Sequence, residues 1–138
     1  MELSPSRDRA IDGAFPDDWR VVRIAEIANL RTGPFGSALH KSDDTIDGVP
    51  LVNPMHIVDG RIEPTRSMSV TDETARRLAE FRFHQGDIVV GRRGEMGRCA
   101  VIGEEQTGWL CGTGSMIVRP HGAEPRFLQL VLSALPAL

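Results

Sequence analysis

Membrane, metal and redox chemistry all lack a foothold in this chain. No apolar stretch approaches the roughly 18 residues that a spanning helix needs, so the sequence reads as a soluble protein with no membrane partner. Cys99 and Cys111 are too few and too far apart for a C-x-x-C motif, and no signal peptide precedes them to imply an oxidising compartment. The expected setting is cytoplasmic, with both thiols reduced. His40, His56, His84 and His121 stand singly and form no zinc-ligand pattern with the cysteines. Lysine is nearly absent: of sixteen basic residues only Lys41 is a lysine. A bias toward arginine favours planar, bidentate donors suited to carboxylate, phosphate or guanine edges. A high-GC genome would produce the same bias without functional meaning.

Catalytic signatures are missing too. In "GDIVVGRRGEMGRCAVIG" (86–103), the spacing Gly91-x-x-Gly94-x-x-Gly97 is neither a dinucleotide fingerprint nor a Walker loop, and it lacks the Lys-Ser/Thr pair. A second apolar strand follows it, so no helix N-terminus is offered to a phosphate. Ser115 in "CGTGSM" is flanked at two residues by Thr113 and Ile117, which excludes a G-x-S-x-G elbow. Asp43-Asp44 lies among turn-forming residues, where a structural role outweighs a catalytic one. These absences favour a non-enzymatic protein without a cofactor.

Excess positive charge, the usual mark of a nucleic-acid partner, is also missing: the formal net charge is −3. Its distribution weakens the objection. Residues 1–18 hold five acids (Glu2, Asp8, Asp12, Asp17, Asp18) against Arg7 and Arg9, which leaves the remainder neutral.

What is present fits a single domain of 138 residues. Residues 1–14 are polar and aperiodic and read as a flexible leader. The domain proper is expected over 15–138, opening with Phe15 and Trp19, a short strand at 20–24 and a helical turn at 25–28. A Gly-, Pro-, Ser- and Asp-rich loop at 31–48 follows; loops of that length are usually functional or disordered. Strands are expected at 49–54 and 56–63, the latter turning at Asp59-Gly60. Ala75, Leu78, Ala79 and Phe83 lie at helical spacing behind a Thr71 or Asp72 cap, which predicts a helix over 72–81. Ile88–Val90, Ala100–Ile102 and Met116–Val118 read as strands of one sheet. Pro125 opens a last helix whose apolar residues go nearly all round, so it must bury against something. Strands and helices without strict alternation predict an α+β fold, a mainly antiparallel twisted sheet with a few short helices.

In the 86–103 segment the glycines suit geometry: Gly94 and Gly97 permit a tight reversal between two short strands. Arg92, Arg93 and Arg98 can then project at an exposed turn and meet phosphate oxygens or guanine edges. The competing reading is that Glu95 and Asp87 simply neutralise them at the surface.

The order of motifs narrows the choice. The chain runs "FPDDWRVVRIAEIANLRTGPFGS", "GVPLVNPMHIVDGRI", a capped helix into "FHQGDIVVGRRGEMGRCAVI", then "GTGSMIVRP" and "PRFLQLVLSA". Over residues 15–135 this resembles the target-recognition domain of the specificity subunit of type I restriction-modification systems. The resemblance implies a non-catalytic domain that binds double-stranded DNA, reads half of a bipartite site and directs methyltransferase and restriction subunits. It also places Gly86, Asp87, Gly94 and Gly97 at framework positions of the turn, and Arg92 and Arg93 at variable ones suited to sequence-specific contact. Because such domains read bases from variable loops, Ser37, His40, Lys41, Arg61 and Arg66 join the candidates. The family normally carries two such domains separated by long helices. A single domain implies an excised domain, a truncated product or a half-size subunit that pairs with itself as a homodimer. Two alternatives stay open: a recognition domain detached from a single-chain restriction-methylation enzyme, or a protein-interaction module that kept the fold without the DNA.

Overall fold

The structure is a computed structural model that describes residues 23–34, 39, 43–92 and 98–134. The expected leader, the Phe15-Trp19 opening, Ser37, His40, Lys41, Arg93, Gly94 and Gly97 lie outside the described residues.

A short helix α1 (Ile24–Ile27) leads into β1 (Ala28–Thr32). The helical turn comes at 24–27, so Ile24 opens a helix rather than closing a strand, and the first described strand comes after it. Then follow β2 (Asp44–Thr45), β3 (Val49–Val52), the hairpin β4 (Ile57–Val58) and β5 (Arg61–Ile62), and β6 (Ser69–Val70). Helix α2 (Asp72–Arg77) precedes β7 (Ile88–Gly91), β8 (Cys99–Val101), β9 (Leu110–Cys111), β10 (Ser115–Pro120) and α3 (Pro125–Ala134). The expected 31–48 loop is shortened at both ends, by β1 and by β2.

Two four-stranded sheets form, in the orders β1-β10-β7-β8 and β2-β6-β3-β9. The first is antiparallel throughout and contains the three strands expected to share a sheet. In the second, β3 pairs with β9 in parallel while the other pairs are antiparallel. This α+β arrangement follows from strands whose alternate residues serve different cores. In the first sheet, Ile88, Val90, Cys99 and Val118 face Leu128 and Leu132 of α3. Val89, Ala100 and Ile117 face the other way, onto Val52 and Cys111 of the second sheet. The second sheet in turn sends Leu51, Val70 and Leu110 to Ala75 and Leu78 around α2. The layers therefore run α3, first sheet, second sheet, α2, with each buried Leu, Ile or Val contributing about 1.5 to 3 kcal/mol.

Local signals account for the turns. Thr71 caps α2 by accepting from the Thr74 N–H at 3.2 Å, and the helix ends at Arg77, with a 3₁₀ turn over Ala79–Phe81 completing the expected 72–81 segment. Asp59 and Gly60 both take positive φ, 51° and 75°, as a two-residue hairpin of that sequence requires. Helix α3 is less buried than its composition implies: Leu128 and Leu132 are covered, whereas Phe127, Leu130 and Val131 are exposed.

Candidate nucleic-acid interface

Four connections meet at one end of the first sheet. The register pairs Thr32 with Met116, Ser115 with Gly91 and Val90 with Cys99, so β1 and β7 end here while β10 and β8 begin. The chain leaves β1 through Gly33, whose N–H donates to the Ser115 carbonyl at 2.9 Å. The 112–114 turn and the Asn53–His56 turn arrive from the second sheet, joined where the Gly112 N–H donates to the Val52 carbonyl at 2.9 Å.

The contacts among these turns are close. Gly91 N–H donates to the Arg98 carbonyl at 2.9 Å and Arg92 N–H to the Gly114 carbonyl at 3.0 Å. Asn53 Oδ1 accepts from the Gly114 N–H at 3.3 Å, and the Arg98 guanidinium donates through Nη1 to the Pro54 carbonyl at 3.3 Å. A Cβ on Gly112 would overlap the Asn53 side-chain amide. Glycine is needed here because two backbones and a side chain share one layer of space.

The candidate arginines divide by what they touch. Arg92 and Arg98 flank the 91–98 turn and are half-buried. The Arg92 charge is near enough to Cys111 to favour its thiolate, yet burial dominates and pushes that thiol up to about 12. Arg61 is exposed, opposite Val58 in the hairpin and therefore on the same face of it. Val58, Asp59, Gly60 and Arg98 line a groove of about 620 Å³ between the hairpin and α3. The fold thus brings Arg61 beside the groove that Arg98 enters. No hydrogen bond or ion pair of the Arg61 or Arg92 side chain is present among the described residues. Arg66 goes elsewhere: its Nε and Nη2 donate to both carboxylate oxygens of Asp47 at 2.7 and 2.6 Å, which lowers the Asp47 pKa and raises that of Arg66.

Gly86 and Asp87 prove to build a different turn from the one between β7 and β8. They close the His84–Asp87 turn at the opposite end of β7, where Gly86 has φ 88°. Asp87 is 1% exposed and accepts from Arg119 Nε at 2.8 Å, from Arg119 Nη2 at 2.9 Å and from the His84 N–H at 2.7 Å. It is committed to Arg119 and does not neutralise Arg92 or Arg98 at the surface.

Asn53, His56, Arg119 and Gln129 escaped the sequence reading. Gln129 Nε2 donates to the Gly60 and Cys99 carbonyls, each at 3.4 Å, and so ties the hairpin to the edge strand β8. Asn53 could have been found: Asn followed by Pro54 and, two residues on, by a side chain able to reach back is an N-cap pattern. Among the described residues no cluster of His, Cys, Asp or Glu is placed to hold a metal, and no helix is long and apolar enough to cross a membrane.

The fold and this end of it describe a two-sheet α+β module: short framework strands carrying converging turns, with arginines at their margin. Residues 16–137 match the model of the type I restriction modification DNA specificity domain, and the chain belongs to that family. It is 23% identical over 90 residues to the type I restriction enzyme EcoBI specificity subunit of Escherichia coli, a match that covers 65% of this chain and 19% of that protein. Its fold is similar to that of the HsdS subunit from Thermoanaerobacter tengcongensis, with TM-score 0.63 and 20% identity over 86% of this chain and 28% of the other. A chain from a study of complex assembly and conformational transition in the type I R-M system is similar at TM-score 0.62 and 18% identity, covering 89% of this chain and 31% of that one. The chain therefore spans from 19% to 31% of the length of these relatives.

Proposed function

We propose that this chain is a DNA target-recognition domain, which reads one half of a bipartite site for a type I restriction-modification system. The observation that carries the reading is the match to a DNA specificity domain over residues 16–137, nearly the whole chain. The converging turns support it, since irregular segments on a rigid sheet are where binding residues concentrate. In this reading Arg92 and Arg98 at the 91–98 turn and Arg61 on the neighbouring hairpin contact phosphates or base edges. Arg93, Ser37, His40 and Lys41 stay candidates for the same contacts by sequence alone, and Arg66 contributes after exchanging Asp47 for phosphate.

The domain is non-catalytic and acts in the cytoplasm. Methyltransferase and restriction subunits supply the chemistry, and a second recognition domain, from a longer chain or from a homodimer, completes the site. Because the described domain is not strongly basic, affinity for a single half-site is weak and falls steeply with salt as phosphate contacts release counterions. Selection by the full chain from a duplex pool of random sequence, at low and moderate salt, tests this. Enrichment of a short motif with salt-dependent retention supports it. Retention of no duplex at any salt would sink the reading in favour of a protein-interaction module.

A further inference from the structure

The turn that supports Arg98 is itself held by a buried histidine. His56 is 1% exposed, although it sits at the end of a surface turn. Its Nδ1 accepts from the Asn53 N–H at 3.0 Å, and its Nε2 lies 3.0 Å from Thr65 Oγ1. An Nδ1 that accepts places the proton on Nε2, so the ring is neutral and donates to Thr65. Asn53 then faces outward from this lock, with Oδ1 on the Gly114 N–H, and Pro54 presents its carbonyl to Arg98. The chain of contacts Thr65, His56, Asn53, Gly114 and the parallel branch through Pro54 to Arg98 spans three of the four converging turns.

We propose that His56 and Asn53 are positioning residues for DNA reading: neutral His56 fixes the 53–56 turn, and that turn sets where Arg98 and the 112–114 backbone stand. The proposal rests on the DNA-reading function above. Protonating Nδ1 replaces an acceptor with a donor opposite the Asn53 N–H, so the lock cannot survive in the charged state. Burial already disfavours that state and moves the His56 pKa down from its ordinary 6.5. The charged and titratable groups on the packed elements are Glu63, whose N–H donates to the His56 carbonyl at 2.8 Å, Arg98 on Pro54, Arg61 on β5, Arg92 just past the end of β7, and the Cys111 thiol. Desolvation, and none of these charges, is the cause of the His56 shift. Cys111, with its pKa pushed up to about 12, stays neutral throughout.

The test combines nuclear magnetic resonance with DNA binding on the full chain. In the free protein, the Asn53, Gly91 and Gly114 amide resonances should move together with the midpoint of the His56 ring as pH falls, and should stay still in His56→Gln. Glutamine at this position of a capping box reaches the same backbone N–H without titrating. With the random-sequence duplex pool as probe, His56→Ala and Asn53→Ala should weaken retention about tenfold, the scale of losing one cap that must be re-formed on binding. His56→Gln should recover most of that loss and make binding independent of pH in the range where the wild type declines. A His56 ring that titrates while the Gly91 and Gly114 amides stay fixed overturns the proposal, whatever the DNA result. Coupled amides in a chain that retains no duplex overturn the DNA-reading function instead.

Discussion

The two ends of β7 treat charge in opposite ways. At the His84–Asp87 end, Asp87 is fully buried and meets Arg119 through two hydrogen bonds, with a backbone N–H completing its shell. At the Gly91 end, Arg92 and Arg98 are half-buried among turns, Arg98 donates to a carbonyl, and Arg92 has no side-chain partner among the described residues. The difference separates a closed framework end from an open one, which the proposed function takes as the DNA-reading surface. A buried carboxylate must be matched by fixed donors, because an unmatched buried charge costs several kcal/mol. An arginine at a turn keeps water or a phosphate within reach, so its charge needs no fixed carboxylate to match it.

The largest loss is expected from stripping the closed end. Arg119→Met leaves Asp87 buried with the His84 N–H and should cost roughly 3 to 5 kcal/mol in urea unfolding. Because the Arg119 side chain keeps 34% of its surface exposed, Asp87→Ala should cost less, about 2 kcal/mol. If both were neutral, the closed end would not be a framework element.

At the other end, Gly112→Ala forces a Cβ into the Asn53 amide and should destabilise by about 1 to 3 kcal/mol, with loss of DNA retention beyond what unfolding explains. Arg92→Ala should do the reverse: stability within about 0.5 kcal/mol of wild type, and binding weaker by roughly 1 to 3 kcal/mol if the side chain reads a base. A phosphate contact would instead lower the salt slope by about one unit across all sequences. Equal losses of stability in Arg92→Ala and Arg119→Met would erase the distinction.

Two smaller effects refine it. The folded-state pKa of His56 is depressed, so the unfolded chain takes up the proton first as pH falls below 6.5. Stability is full above that value and should decline below it, toward the folded pKa, in urea unfolding across the range. His56→Gln should remove that component. Least of all, Arg66→Ala breaks an ion pair in which both side chains are mostly in water, 79% and 54% exposed, and should leave the unfolding midpoint unchanged.

Much of this architecture could be read in advance wherever local chemistry decides. The Asp59-Gly60 hairpin, the Thr71 cap and the three apolar strands of one sheet each rest on short-range pattern, and each forms. The start of the domain was legible only in part: the helical turn expected at 25–28 forms at Ile24–Ile27, whereas nothing local marks the strand Ala28–Thr32, which is held by its register with β10. The pairing of Asp87 with Arg119 was equally invisible, because 32 residues separate them and only the β10-β7 register brings them together.

The family is legible in the order of the motifs, and the local turns in the residues that make them, because glycine, proline and capping residues act on their immediate neighbours. Which charges are spent and which remain is settled by packing. Asp87 is enclosed because Ile88 and Val89 on either side of the sheet pull its strand into two cores, and Arg66 is drawn to Asp47 by the close pairing of β2 and β6. Whether an arginine is structural or available depends on the acids and carbonyls within a few ångströms of it. That distance is set by strand register and sheet packing, which no window of neighbouring residues contains.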